Sequence, residues 1–450
     1  MHASLLIDLY ELTMAQCYFA YKRNTFATFE LFVRELPQNR AYLVAAGLED
    51  ILDYVQKLQF DSQDLAYLEK QKLFSADFLQ YLSNFRFRGD IWALPEGEIF
   101  FSQEPMLRVT APIIEAQIME SFLLNTINLQ TMIASKASRV VMAAGGRSCY
   151  DFALRRTHGA DAGIKVARAA YLAGFSGTSC VLAGKLYKIP VVGTMAHSFV
   201  MSFGHELDAF LAYSKTFPQR TTLLVDTYNT KQGIKNAITV GLYLKTKGQS
   251  LQGIRLDSGD IVYLSKLARK MLAGAGLKEV QIFASGNLDE FKIKDLLKKG
   301  AQVDIFGVGT NMGTSIDAPS LDVIYKLSEV TDAHGRFFPT MKLSKGKVTY
   351  PGRKQIFRIE DKQGKFSQDI LGLEKDKIKG RPLLVKTVDK GRIIYNVPSL
   401  DKIRDLTRNN LSSLPEVLKE VYPRYKYPVR ISPQLEKLRR SLSKQLKKRQ

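Results

Sequence analysis

Between residues 150 and 314 the chain repeats one pattern, in which a short apolar run stops abruptly in small polar or charged residues and a helix-like stretch usually follows. Seven runs carry it, at 151–155, 174–178, 190–194, 223–226, 254–257, 282–285 and 304–308. Strands buried on both faces read as near-continuous apolar runs, and parallel neighbours need long crossovers. The alternation therefore predicts a βα barrel or an open parallel sheet. In either architecture ligands gather at the carboxyl ends of the strands. Those ends hold Arg155, Ser179, His197, Asp226, Arg255 and Asp257, with loops at Ser285, Gly286, Asn287 and at Gly309, Thr310. Function is expected at one mouth rich in anion-binding and proton-handling groups.

A chain of 450 residues with 45% hydrophobic content buries a large core, and its length suggests about two domains. Lys and Arg number 65 against 44 Asp and Glu, a formal charge of +21 that favours anionic partners. No RNA-binding aromatic motif, zinc finger or compact basic domain accompanies the charge. A phosphate-bearing substrate at the strand ends fits better than a basic nucleic-acid-binding protein, which is kept as the reading from another class. Part of the excess lies in the tail, at Lys437, Arg439, Arg440, Lys444, Lys447, Lys448 and Arg449, and reads as a solvated terminal helix. A Schiff-base aldolase would need a lysine closing one of the apolar runs, and none ends that way.

The three cysteines, Cys17, Cys149 and Cys180, have neither zinc-site nor disulfide spacing, which suggests a reducing compartment. Asp8 and Glu11 interrupt the first apolar stretch, and no run is long enough to span a bilayer, so cytoplasmic residence is the expectation. Residues 18–112 are aromatic-rich and extended in character, with turn signals at Pro37, Gly89, Pro95, Gly97 and Pro105. A helical stretch at 113–135 leads into the βα series, and strand-like runs return at 322–327, 347–350 and 382–385. The expected organisation is an amino-terminal helix with the first part of a β-rich domain (1–115), a catalytic βα unit (116–320), a second β-rich part with a helical extension (321–430), and a basic tail (431–450). The β-rich domain is thus discontinuous and expected to embrace the barrel.

The motifs Asp8-Leu-Tyr-Glu-Leu-Thr-Met14, Phe152-Ala-Leu-Arg155, Gly177-Thr-Ser179, Gly193-Thr-Met-Ala-His197, Val225-Asp226-Thr227, Ile254-Arg-Leu-Asp257-Ser258-Gly259, Ser285-Gly-Asn287 and Gly307-Val-Gly309-Thr310 occur in the order seen in nicotinate phosphoribosyltransferases. The ordered set resembles that family over most of the chain. The resemblance implies an irregular βα barrel of the type II phosphoribosyltransferase kind with a flanking discontinuous β-rich domain, acting as a homodimer with sites at the subunit interface. It also implies the reaction of nicotinate with phosphoribosyl pyrophosphate to give nicotinate mononucleotide and pyrophosphate, coupled to ATP hydrolysis and serving NAD salvage. By the same resemblance His197 is phosphorylated by ATP. Phe152 and Tyr10 sandwich the nicotinate ring, Tyr10 reaching in from the second subunit. Lys136 and Arg139 lie near the pyrophosphate.

The residue types suit that chemistry. Displacing pyrophosphate from ribose passes through an oxocarbenium-like state, which calls for carboxylates near the developing cation and Mg²⁺ or cationic side chains on the leaving group. Asp257 suits ribose hydroxyls or a metal, and Asp226 suits either orientation of His197 or metal binding through water. Arg155 and Arg255 divide the nicotinate carboxylate and the phosphates between them, in either order, because the planar guanidinium matches both shapes. The loops at Ser285, Gly286, Asn287 and at Gly309, Thr310 offer backbone amides to a phosphate. Similar enzymes that use nicotinamide carry a carboxylate where Ser179 stands, and a carboxylate there would repel nicotinate. Nicotinamide is therefore the alternative substrate, while quinolinate would need a second carboxylate pocket with no counterpart in the sequence. Ser179→Asp is expected to cut nicotinate turnover selectively in steady-state assays; unchanged nicotinate kinetics would remove Ser179 from the pocket.

Overall fold

The computed structural model describes residues 4–344 and 349–448. The chain divides into two compact units, one of residues 1–132 with 320–450 and the other of residues 133–319. The helix Glu120–Ala143 carries the chain across the first division.

The 133–319 unit is built on six parallel strands, ordered Gly177–Thr178, Ser148–Asp151, Ile305–Val308, Gln281–Ala284, Gly253–Leu256 and Thr222–Leu224. The first strand in the chain pairs with the last, Ser148–Asp151 against Ile305–Val308, and the others follow in cyclic order. Cyclic order with first-to-last pairing is the topology of a barrel, not of an open doubly wound sheet. The ring is irregular. Run 190–194, expected as a strand, contributes only a single parallel bridge from Val191 to Thr178, with Thr178 N donating to Pro190 O at 3.0 Å and Val192 N to Thr178 O at 2.9 Å. Gly177 permits that approach, since a Cβ there would lie 2.5 Å from the Pro190 carbonyl oxygen. The ladder is not continued between Val191 and Thr222–Leu224, so the barrel is open at that seam.

Strand ends also differ from the sequence reading. Run 151–155 is strand only at Asp151, after which Leu154–Arg156 turns as a 3₁₀ helix. The cause is local: the Asp151 carboxylate accepts from the Ala153 amide at 2.8 Å and so folds the chain away from extension.

The other unit carries a seven-stranded antiparallel sheet ordered Phe337–Pro339, Val323–Thr331, Phe26–Val33, Pro105–Pro112, Asp90–Ala93, Val385–Asp389 and Arg392–Ile393. Strands from both ends of the chain interleave, which makes this unit the discontinuous β-rich one. Buried ion pairs join the two halves: Lys354 Nζ to Glu30 Oε2 at 2.6 Å and Arg358 Nη1 to Glu98 Oε1 at 2.7 Å. The amino-terminal part is less purely extended than its aromatic content suggested, because helices Leu48–Lys57, Ser62–Lys70 and Ala76–Ser83 lie within it. Leu48, Ile51, Leu52 and Val55 are buried at helical spacing, a periodicity already present in the sequence. Run 347–350 lies partly outside the described residues, and Thr349 and Tyr350 are not strand. Lys437, Arg439, Arg440, Lys444, Lys447 and Lys448 lie on the terminal helix Pro433–Lys448, and Arg449 is outside the described residues.

Helix Thr230–Thr246 closes against the barrel through Gly233, where a Cβ would lie 2.1 Å from the Val225 carbonyl oxygen. Gly233→Ala should therefore lower stability by about 1–3 kcal/mol in urea unfolding. It should also depress activity, because Val225 precedes Asp226.

Candidate active site

The strand ends of the 133–319 unit converge as the alternation predicted. The strand Gly253–Leu256 delivers Arg255 and Asp257, and Gln281–Ala284 delivers Ser285. Arg255 Nη2 donates to Asp257 Oδ1 at 2.5 Å, and Arg255 Nε donates to Ser285 Oγ at 2.8 Å. The Ser285 hydroxyl donates to the same Asp257 oxygen at 2.5 Å. Arg255 Nη1 reaches Thr194 Oγ1 at 3.3 Å and Met195 O at 3.4 Å, tying in the segment before His197. Its guanidinium carbon lies 5.5 Å from the centre of the Phe152 ring. Burial alone would raise the Asp257 carboxyl, but the Ser285 hydroxyl, the Arg255 guanidinium and nearby His197 outweigh it and hold the pKa below the usual 3.8. Asp257 is thus poised as a carboxylate.

Asp226 follows the strand Thr222–Leu224. Its Oδ2 accepts from the Asp257 amide at 2.9 Å and from Ser258 Oγ at 2.7 Å, while its buried Oδ1 has no hydrogen-bond partner. His197 opens the short helix His197–Met201, and its Nδ1 sits 3.1 Å from Thr227 Oγ1. The partner of the imidazole is therefore Thr227, while Asp226 braces the Asp257 loop.

Phe152 packs against position 307 because that residue is glycine; a Cβ there would be 2.6 Å from its ring. Arg155 is exposed on the Leu154–Arg156 turn and forms no ion pair among the described residues. Ser179 follows Gly177–Thr178, its amide donating to Asp151 O at 2.8 Å. Gly286 takes φ +94°, and a Cβ there would lie 2.2 Å from the Asp257 carbonyl oxygen, so the close pass of the Ser285 loop requires glycine. Asn287 follows with φ 50°, and Gly309 precedes Thr310 at the end of Ile305–Val308.

Two expected residues are deployed differently. Lys136 and Arg139 are neither exposed on the helix nor free for a phosphate. Lys136 Nζ pairs with Glu290 Oε2 at 2.6 Å and Asp317 Oδ1 at 2.7 Å, and Arg139 Nε pairs with Glu290 Oε1 at 3.0 Å, all but Asp317 fully buried. Tyr10 belongs to the other unit, half exposed on helix Leu9–Tyr21 beside Glu120. Among the described residues no cluster of three metal-ligating side chains occurs, the cysteines are unpaired, and burial pushes the Cys149 thiol up to about 12.

Two residues at these strand ends carry no such signal in the sequence: Asp151 opens the run 151–155 instead of closing it, and Thr227 stands beside the charged Asp226. Asp151 is fully buried between Ala153 N and Thr178 Oγ1, the latter at 2.7 Å.

Six parallel strands paired first to last, with Arg255, Asp257 and Ser285 hydrogen-bonded to one another at their carboxyl ends, make a βα barrel with a polar mouth. The family models for the nicotinate phosphoribosyltransferase N-terminal domain, the nicotinate phosphoribosyltransferase family and its C-terminal domain match residues 5–128, 147–351 and 375–439. A nicotinate phosphoribosyltransferase of Mycobacterium tuberculosis is 48% identical, covering 95% of this chain and 91% of the relative. One from Bacillus subtilis is 38% identical over 95% of this chain and 93% of its own. The crystal structure of human nicotinic acid phosphoribosyltransferase superimposes with a TM-score of 0.87 at 29% identity, covering 97% of this chain and 100% of that one. The chain belongs to the nicotinate phosphoribosyltransferase family.

Burial raises the Asp151 carboxyl from 3.8 to about 6, although the Thr178 hydroxyl and the Ala153 amide lower it. The folded chain then holds this proton more tightly than the unfolded chain. The contribution favours folding fully below the unfolded value and is lost as pH rises through the folded one. In urea unfolding from about pH 4 to pH 7, wild type should lose on the order of 2–3 kcal/mol relative to Asp151→Asn.

Proposed function

We propose that this chain transfers the phosphoribosyl group of phosphoribosyl pyrophosphate to nicotinate, giving nicotinate mononucleotide and pyrophosphate in NAD salvage. The observation that carries the reading is the Arg255–Asp257–Ser285 cluster facing Phe152 and neighbouring His197 at the barrel mouth. In the transfer the bond from ribose C1 to the pyrophosphate oxygen breaks and the pyridine nitrogen lone pair forms the new bond to C1. No proton need move at either atom. Asp257, kept ionised, stabilises the positive charge that develops on the ribosyl group.

Phe152 offers one flat face to the pyridine ring, and Tyr10 of a second copy in a homodimer offers the other. The donors of Arg255 are engaged with Asp257, Ser285 and Thr194. Arg155, exposed and unpaired, is the guanidinium assigned to the incoming carboxylate, and Ser179 is assigned to it as a hydrogen-bond donor. The amides at Gly286, Asn287 and at Gly309, Thr310 hold the 5′-phosphate. The orphaned, buried Oδ1 of Asp226 is an acceptor suited to a cation or its water. Asp226 and Asp257 would hold Mg²⁺, which supplies neutralising charge to the leaving pyrophosphate. Lys136 and Arg139, already paired, act from behind by fixing Glu290 and helix Glu290–Lys298 below the Ser285 loop.

Coupling to ATP is assigned to His197. With the Nδ1 proton donated to Thr227, the lone pair on Nε2 attacks the γ-phosphorus as the bond to the ADP oxygen breaks. Hydrolysis of the phosphohistidine after transfer releases product. The cytoplasm, where nicotinate and ATP meet, is the proposed location; among the described residues no helix is long and apolar enough to cross a membrane.

The test is a parallel assay of nicotinate and nicotinamide with phosphoribosyl pyrophosphate, with and without ATP. Pyrophosphate release with nicotinate, enhanced by ATP, is expected, and a preference for nicotinamide would overturn the substrate. His197→Ala should abolish labelling from γ-labelled ATP, and persistent labelling would move the phosphoacceptor. Asp257→Asn should lower kcat by about 100-fold or more.

A further inference from the structure

Asp151 makes two side-chain hydrogen bonds, and they run to two different loops. The Ala153 amide donates to Oδ1 at 2.8 Å, and the Thr178 hydroxyl donates to Oδ2 at 2.7 Å. Ala153 lies in the turn that displays Phe152 and Arg155, and Thr178 is the last strand residue before Ser179. The Thr178 oxygen in turn accepts the Cys180 amide at 3.0 Å, and the Ser179 amide donates to the Asp151 carbonyl at 2.8 Å. Ser179 is therefore held on both sides by groups that lead back to Asp151. On the other arm, the Phe152 amide donates to Val308 O at 2.9 Å and the Arg156 amide to Ala153 O at 2.7 Å, which closes the turn behind Arg155.

We infer that Asp151 and Thr178 form a buried clamp that sets the spacing between the Phe152–Arg155 turn and the Ser179 loop, and so act as positioning residues for the pyridine acid. The inference rests on the nicotinate reading of the mouth. The physical case is that a fully buried carboxylate is costly unless it is hydrogen-bonded, so its two bonds are held firmly. The Thr178 bond reaches neither the Arg255–Asp257–Ser285 cluster nor the loops assigned to phosphate, whereas the Ala153 turn packs on Gly309 and Gly313. A fault on the Thr178 arm is accordingly selective. It widens the slot for the ring and its carboxylate and leaves the phosphoribosyl pyrophosphate contacts in place.

Thr178→Val is nearly isosteric and deletes the hydroxyl. It should raise KM for nicotinate about tenfold while KM for phosphoribosyl pyrophosphate and kcat stay within about twofold. Thr178→Ser, which restores the hydroxyl, should bring nicotinate KM back towards wild type. Asp151→Ala severs both arms and should exceed Thr178→Val, whereas Asp151→Asn keeps an acceptor for Ala153 and should fall between. Melting curves on each variant separate misfolding from repositioning, and if Asp151→Ala does not fold, the Thr178 pair decides the matter. A folded Thr178→Val enzyme with unchanged nicotinate KM, or with both KM values raised alike, overturns the clamp while leaving the transfer reaction standing. A wild-type enzyme that ignores nicotinate overturns both.

Discussion

The hydrogen-bonded pairing of Ser148–Asp151 with Ile305–Val308 holds the rest in place. It turns a linear series of βα units into a ring, and a ring brings groups from distant parts of the chain to one mouth. Asp151, Phe152 and Arg155 leave the first strand, while Gly309 and Thr310 leave the last. Only because those strands are neighbours does Phe152 lie over Gly307, with its amide bonded to Val308 O. Small residues at the contact follow from this, since any side chain at 307 would displace the ring.

Around that pairing the mouth is organised by charge. Arg255, Asp257 and Ser285 satisfy one another, and Asp226 holds the Asp257 amide. A carboxylate at a partly buried strand end stays ionised only where donors outweigh desolvation, and two donors converge on one Asp257 oxygen. Asp151 is the opposite case. It is wholly buried, has neutral donors only, and its carboxyl is raised to about 6. Two aspartates at strand ends of one barrel thus differ in proton affinity because their surroundings differ, one held by the Arg255 guanidinium at the mouth and the other buried between the Ala153 amide and the Thr178 hydroxyl.

Buried ions recur elsewhere, at Lys136 with Glu290 and Asp317, and at Lys354 with Glu30. Such pairs contribute little net stability against apolar replacements, yet losing one partner strands a charge. They make register and helix placement specific. In the sequence, Lys136 and Arg139 look like any basic residues on a helix, and their acidic partners stand more than 150 positions away. No local signal distinguishes a lysine destined for Glu290 from one destined for a phosphate.

The sequence by itself determined the alternation of buried strands and helices, the strand ends where Arg255, Asp257 and Ser285 gather, and the ordered motifs of the family. Those features are legible because they are local: apolar runs, their abrupt ends, and short residue patterns. It did not determine that the sheet closes first strand on last, that run 190–194 contributes only a bridge, that Thr227 holds His197, or that Asp151 ties two loops together. Each of these depends on which distant segment is nearest in space, and hydrogen bonds across 27 to 30 positions become visible only when the barrel has formed.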